Sequence, residues 1–181
     1  WVGHLGGGLS LGMRSTFRKL EVPGTPFTLD ITGIAEDGRG AVWVTTFGDG
    51  ALRVTDVPDE GPLKGDRFGS SNGLSDRITG ITRLNDGKLL FLEAEGDMKT
   101  WDPATKHFTP FKPKGRPVLM GITTVFQDSH DGLWIGTQSN GAVNLDTRSG
   151  KVTVYDISTA LPSNFVLSFG EDEQGRIWVG T

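Results

Sequence analysis

The sequence predicts an all-β protein of the β-propeller class, built from about four four-stranded antiparallel blades and reading as an arc of a larger ring. Three observations carry that prediction. A phrase made of an acidic residue, Asp, a turn and a Trp-bearing apolar run returns along the chain: Gln127–Thr137 reads QDSHDGLWIGT, Glu171–Thr181 reads EDEQGRIWVGT, and Glu36–Thr46 reads EDGRGAVWVTT. A degenerate copy, LNDGKLLFLE, spans Leu84–Glu93 with Leu90 at the tryptophan position, and the chain opens on Trp1-Val2-Gly3-His4. The steps between Trp positions are 42, 47, 44 and 44 residues (Trp1, Trp43, Leu90, Trp134, Trp178). A period in the forties around a strand-turn-strand core is the signature of propeller blades.

Composition agrees. Gly and Pro number 27 and 9 of the 181 residues, and nearly all punctuate short apolar runs. No segment shows sustained apolar spacing at i, i+3, i+4, i+7, so no helix is expected. The longest aliphatic or aromatic run is Leu89–Leu92, too short for a membrane span. The absence of cysteine leaves no disulfide framework and no thiolate metal site. A net charge of -4 and an absence of clustered basic residues argue against a nucleic-acid partner.

Laid on four strands lettered A to D from the axis outward, each repeat assigns its residues consistently. Strand A is expected at Ile31–Ala35, Ile78–Thr82, Ile122–Phe126 and Val166–Gly170. A small residue ten positions before each Trp position (Gly33, Gly80, Thr124, Ser168) suits a crowded inner strand. Asp37, Asp128 and Asp172 stand six residues before their tryptophans, where Asp caps a turn by accepting downstream backbone N–H groups. Calcium is the other use of such carboxylates, but no D-x-D-x-D-G ladder supplies enough oxygens. The tryptophans of strand B are expected to pack blade on blade, because one repeat cannot bury its own faces; sugar stacking is the alternative. Strand C follows a glycine-closed loop, at His4–Gly8, Thr46–Gly50, Glu93–Asp97 and Thr137–Gly141. The C–D hairpins turn within Trp101–Phe108 and Leu145–Val152. The chain reads as one repeat domain over 1–181. Both ends fall on strand B, which a closed four-bladed ring would need once, so an arc is expected, with further blades, a second propeller or a homodimer completing the assembly.

These phrases resemble the two-component regulator propeller repeat. The residues that carry the likeness are Leu161-Pro162-Ser163-Asn164-Phe165-Val166, Glu171 to Thr181, Gly141-Ala142-Val143 and Asp146-Thr147-Arg148-Ser149-Gly150, with Leu74-Ser75-Asp76-Arg77-Ile78 a weaker copy of the first. The departures are the Leu90 repeat and the longer linker Pro58–Phe68. The resemblance implies a seven-bladed propeller in the periplasmic part of a membrane-anchored sensor, detecting an extracellular ligand, often an oligosaccharide, and passing the signal across the membrane.

No catalytic constellation is evident. His4, His107 and His130 lie on unrelated elements without metal-ligand spacing, and Gly6-Gly7-Gly8 lacks the Lys-Ser/Thr of a phosphate loop. No cofactor is expected. Because strands A and B are antiparallel, the B–C loops and the loops leading into A share one face. The B–C loops bring Asp49, Glu93, Glu95, Gln138, Ser139 and Asn140, and the loops before A bring Asp76, Arg77, Lys114, Arg116, Ser163 and Asn164. Polar groups on rigidly held loops are where binding resides. Arg77, Asn140 and Asn164 lead the candidates for a polar ligand, with Asp49, Glu93, Gln138 and Arg116 beside them. Two other readings stay open: a lyase of the streptogramin-inactivating type, for which His4 and Glu93 are the one nominable pair, and a protein-binding scaffold using the blade rims.

Overall fold

Each Asp-turn-Trp phrase folds as the hairpin its spacing dictates. In a computed structural model, which describes residues 1–13, 16–22, 30–115 and 119–181, the described residues form 17 strands. β1 (Val2–His4), β2 (Gly8–Met13) and β3 (Thr16–Leu20) make a three-stranded sheet. Three four-stranded sheets follow. The first holds β4 (Ile31–Glu36), β5 (Val42–Thr46), β6 (Ala51–Asp56) and β7 (Lys64–Phe68); the second β8 (Ile78–Arg83), β9 (Leu89–Glu93), β10 (Met98–Asp102) and β11 (His107–Pro110). The third holds β12 (Ile122–Gln127), β13 (Gly132–Thr137), β14 (Ala142–Asp146) and β15 (Val152–Tyr155); β16 (Ser168–Glu171) and β17 (Ile177–Gly180) form a last pair. Neighbours in the sheets are consecutive in sequence, the A-to-D meander of propeller blades. The chain divides into two compact units, Trp1–Ile81 and Thr82–Thr181.

Three details depart from expectation. Lys64–Phe68, read as part of the linker Pro58–Phe68, is β7, because its backbone pairs antiparallel with Ala51–Asp56 and completes the first four-stranded sheet. A single 3₁₀ turn, Ser70–Asn72, interrupts the helix-free reading and ends at Gly73 with φ of 80°, a left-handed value that suits glycine. The last A strand begins at Ser168 and not at Val166, because Val166 commits its N–H to the Thr137 carbonyl at 3.0 Å, in the loop of the preceding sheet.

The repeated aspartate binds its turn and also the tryptophan. Asp37 Oδ1 accepts the N–H groups of Arg39 and Ala41 at 3.0 and 3.1 Å, and Oδ2 accepts the Trp43 indole at 3.4 Å and Arg53 Nε at 3.2 Å. Asp128 repeats this with His130, Gly132 and the Trp134 indole (2.9, 2.7 and 2.8 Å), and Asp172 with Gln174, Arg176 and the Trp178 indole (3.0, 3.0 and 2.9 Å). The capping role expected of these residues is present, and the six-residue spacing to Trp has a second cause in the indole bond. In the degenerate copy both partners change at once. Leu84 occupies the Asp position, keeps the backbone bond from its N–H to the Lys88 carbonyl at 2.8 Å, and is buried in one cluster with Leu90. Replacing both halves of a buried polar pair with apolar groups leaves nothing unsatisfied.

Burial follows the same logic within each unit. In Trp1–Ile81, Leu9, Val44, Leu52, Val54 and Leu63 form a core, and Trp43, with no exposed surface, stacks on Phe68 at 4.9 Å. Gly33 on β4 is where crowding was expected. A Cβ there would sit 2.8 Å from Ile81 Cγ2 and 3.1 Å from the Ile81 amide nitrogen. In Thr82–Thr181, Leu90, Leu92, Ile135, Val143 and Leu145 form the core, and Trp134 lies between Tyr155 of its own sheet and Phe169 of β16, with ring centroids 5.5 and 5.9 Å away. The Phe169 contact is the sheet-on-sheet packing expected of the tryptophans, shown here by Trp134, whereas Trp43 stacks on Phe68 of its own sheet and Trp178 is largely exposed. Neighbouring sheets here are also latched at their A–B turns: Asn85 N–H donates to Gln127 Oε1 at 2.8 Å, and Ser129 N–H to Glu171 Oε2 at 2.8 Å.

Candidate functional site

The loops nominated for binding are held by a repeated bond pattern that the sequence reading did not recognise. Thr46 and Thr137, the last residues of two Trp phrases, are buried. Each hydroxyl donates to the carbonyl of the loop-closing glycine (Gly50 at 3.0 Å, Gly141 at 2.9 Å) and accepts an N–H from within the loop (Asp49 at 3.0 Å, Asn140 at 2.8 Å). The threonine therefore ties both ends of a five-residue loop, which is why the phrase ends on it. The signal was present in the repeat of Thr at three residues beyond Trp43, Trp134 and Trp178.

The loops are tied again to the segment leading into the next A strand. In the first unit the N–H groups of Gly48 and Gly50 donate to the Asp76 carbonyl at 2.9 and 2.8 Å. In the second unit Gly141 N–H donates to the Asn164 carbonyl at 3.0 Å. Ser75 and Ser163 turn these segments alike, accepting the N–H of Arg77 at 3.1 Å and of Phe165 at 3.0 Å.

On these frames the nominated side chains fall into distinct situations. In the first unit Asp49 and Arg77 are exposed, and the Arg77 guanidinium lies 4.7 Å over the Phe47 ring, a cation–π arrangement that fixes where its fork points. In the second unit Gln138 and Asn140 are exposed on one loop, with Ser139 Oγ donating to Asn140 Oδ1 at 3.3 Å. Asn164 joins them through its backbone, but its side-chain Oδ1 accepts the Ile157 N–H at 2.9 Å, so the amide oxygen holds the preceding loop. Asp76 does the same for Ser70 at 2.9 Å. Glu93 occupies the position of the loop-closing threonine; its carboxylate is buried and pairs with Lys99 Nζ at 2.9 Å. Arg116 lies outside the described residues. His4, the other half of the lyase pair, has Nε2 3.1 Å from Ser10 Oγ.

The electrostatics of the repeat explain why its aspartates are turn elements. Burial alone raises the pKa of Asp37, but the bonds from Arg39, Ala41, Trp43 and Arg53 outweigh it and hold the carboxyl below its ordinary value. Asp172 is lowered by the same balance, with burial opposing and the N–H of Arg176, the indole of Trp178 and the Arg176 side chain favouring the anion. Among the described residues no group of three or more His, Cys, Asp or Glu side chains is placed to hold a metal ion. None of their helices is long and apolar enough to cross a membrane.

Known proteins place this geometry. Residues 160–181 match the family model described as two component regulator propeller. Among solved structures, the extracellular domain assigned to a hybrid two component system of B. thetaiotaomicron superposes with a TM-score of 0.74 at 19% identity, over 99% of this chain and 24% of that one. A second such domain from the same organism gives 0.66 at 20% identity, over 88% of this chain and 23% of that one. PorZ, a surface component of the type-IX secretion system of Porphyromonas gingivalis, gives 0.60 at 15% identity, over 99% and 35%. The chain thus spans about a quarter of the length of the first two structures it resembles. Among curated proteins none matches it. The chain has the antiparallel meander sheets of the propeller fold, and its residues 160–181 match the two component regulator propeller model.

Proposed function

We propose that this chain belongs to the extracytoplasmic, periplasmic sensing propeller of a two-component regulator, and that within each of its two units the B–C loop and the segment before the next strand A bind a polar ligand such as an oligosaccharide reversibly and without turnover. The observation that carries the reading is the double tying of those loops. Thr46 and Thr137 fix them from within and the carbonyls of Asp76 and Asn164 fix them from outside, while Asp49, Arg77, Gln138 and Asn140 remain exposed. A rigid backbone carrying exposed donors and acceptors loses little freedom on binding, which is where affinity for a hydroxylated ligand is gained. Arg77 offers a planar fork with a defined direction, and Gln138 and Asn140 offer amides that donate and accept. The remaining blades, or a second propeller, complete the surface in the full protein.

The test is calorimetry of a protein containing the whole propeller against a panel of oligosaccharides, beside a variant with Arg77, Gln138 and Asn140 all replaced by Ala. A binder whose affinity falls at least about ten-fold, ~1.4 kcal/mol, in the variant supports the reading. Binding that is unchanged in the variant removes these loops from the site, and conversion of any sugar to product overturns the non-catalytic reading.

A further inference from the structure

A separate cavity lies at the opposite ends of the strands, within the second unit, where the A–B turns of two neighbouring sheets meet. It is a half-open cleft of about 310 Å³, at the small end of the range for ligand pockets. Leu84, Phe111 and Pro113 line it on the apolar side, and Phe111 also packs against the core cluster holding Leu90 and Leu145, so the ring is backed by fixed side chains. Asn85, Asp86, Gln127, Asp131 and Thr147 supply the polar side.

That polar side is organised around Asp131, a non-glycine residue with φ of 69°. Its Oδ1 accepts Asn85 Nδ2 at 2.8 Å, its Oδ2 receives Arg148, and its carbonyl accepts Thr147 Oγ1 at 3.3 Å. Asn85 is bonded in turn to the Asp128 carbonyl at 2.9 Å and, through its N–H, to Gln127 Oε1 at 2.8 Å. Left-handed backbone at a residue with a side chain is strained and persists where the surroundings hold it; here the bonds from both neighbouring turns hold it.

Charge decides the ligand class. The two carboxylates that line the cavity are each matched by a cation, Asp131 by Arg148 and Asp86 by Lys88 at 2.7 Å. A site for a free ion would leave one sign in excess; this one is balanced while its carboxylate oxygens and the Gln127 amide still present lone pairs and N–H groups. An apolar wall opposite balanced, bidirectional hydrogen-bonding groups matches a pyranose, whose ring face is C–H and whose rim is hydroxyl. We propose that this inter-sheet cavity, walled by Phe111 and Leu84 and rimmed by Asn85, Asp86, Gln127 and Asp131, binds a single neutral pyranose ring, independently of the loop surface proposed above.

The test uses amide NMR on the chain, titrated with methyl glucoside, methyl mannoside and methyl galactoside at millimolar concentrations. The expected result is saturable shifts at Asn85, Phe111, Gln127 and Asp131 with at least one glycoside. Asp131→Asn keeps a side chain tolerated in left-handed backbone while removing the charge, and should weaken that binding at least about five-fold. Gln127→Met, which removes the amide and retains bulk, is the second variant and should do the same. Glu173→Ala, an exposed residue outside the cleft lining, should leave the binding unchanged. Saturable shifts confined to the Asp49, Arg77, Gln138 and Asn140 loops, or no saturable shift with any of the three glycosides, overturns the cavity proposal. In the first case the loop reading survives; in the second the loop reading stands on its own oligosaccharide titration.

Discussion

At the scale of single residues, Thr137 carries more than its size indicates. It has no exposed surface, and its hydroxyl both donates to the Gly141 carbonyl and accepts from Asn140. Thr137→Val keeps the shape and strands those two groups, so chemical denaturation should show a loss of about 1–3 kcal/mol. A variant as stable as the parent would show that water replaces the hydroxyl. Asp37 yields a pH prediction. Its pKa is depressed in the folded chain, so it contributes stability above the ordinary aspartate value of about 3.9, and that contribution is lost as pH falls through the lowered folded value. Asp37→Asn should therefore destabilise the neutral protein and flatten the acid side of its stability curve; a parallel acid limb in parent and variant would assign the loss to other carboxylates. The capping role of Asp37, Asp128 and Asp172 was legible because it depends on residues two and four positions downstream. The fate of Glu93 and Asn164 was not legible. Lys99 meets Glu93 across a hairpin, and Ile157 meets Asn164 through a loop, so exposure could not be inferred from loop position.

At the scale of elements, the repeat shows what can vary. The Asp–indole bond of three copies is absent where Leu84 and Leu90 stand together in the core, and the turn backbone is retained. The two positions should therefore be coupled. Leu84→Asp alone buries a carboxylate, Leu90→Trp alone buries an indole N–H, and each should destabilise. The double variant rebuilds the pair, and a double-mutant cycle should return a favourable coupling of about 1–3 kcal/mol. Additive losses would mean that this sheet has diverged too far to accept the pair. The A strands were legible to within two residues because alternation, glycine placement and the Trp period all pointed to the same hairpins, whereas β7 fell inside the stretch read as a longer linker, where no repeat phrase marks it. The boundary that slipped, Val166 to Ser168, did so because a backbone bond to the preceding sheet competed with the strand, and no local propensity records such a bond. The crowding at Gly33 is similar: the period marked a small residue, and Ile81 supplies the reason.

At the scale of the molecule, the period ran unbroken through β8, so it carried no trace of the division into two compact units inside that strand. What the period did imply is that no sheet buries both faces alone, and surface apolar residues bear this out in the second unit. Trp178, Leu167 and Phe165, on or beside the β16–β17 pair, are 63%, 56% and 43% exposed. Trp178 retains its bond to Asp172 and lies 5.9 Å from the Arg176 guanidinium, so it is held in place while facing outward. Apolar surface of this kind, beside a sheet of two strands, favours contact with a second copy. The net charge of -4 opposes association weakly, and salt screens that opposition. Sulfate should strengthen association further, because it favours apolar burial. Sedimentation velocity on this chain should therefore show concentration-dependent self-association that rises with sulfate, and Trp178→Lys combined with Leu167→Lys should shift it towards monomer. A parent chain that remains monomeric across concentration and sulfate would show that these side chains are compatible with water as they stand, and would remove a second copy from the partners this surface supports.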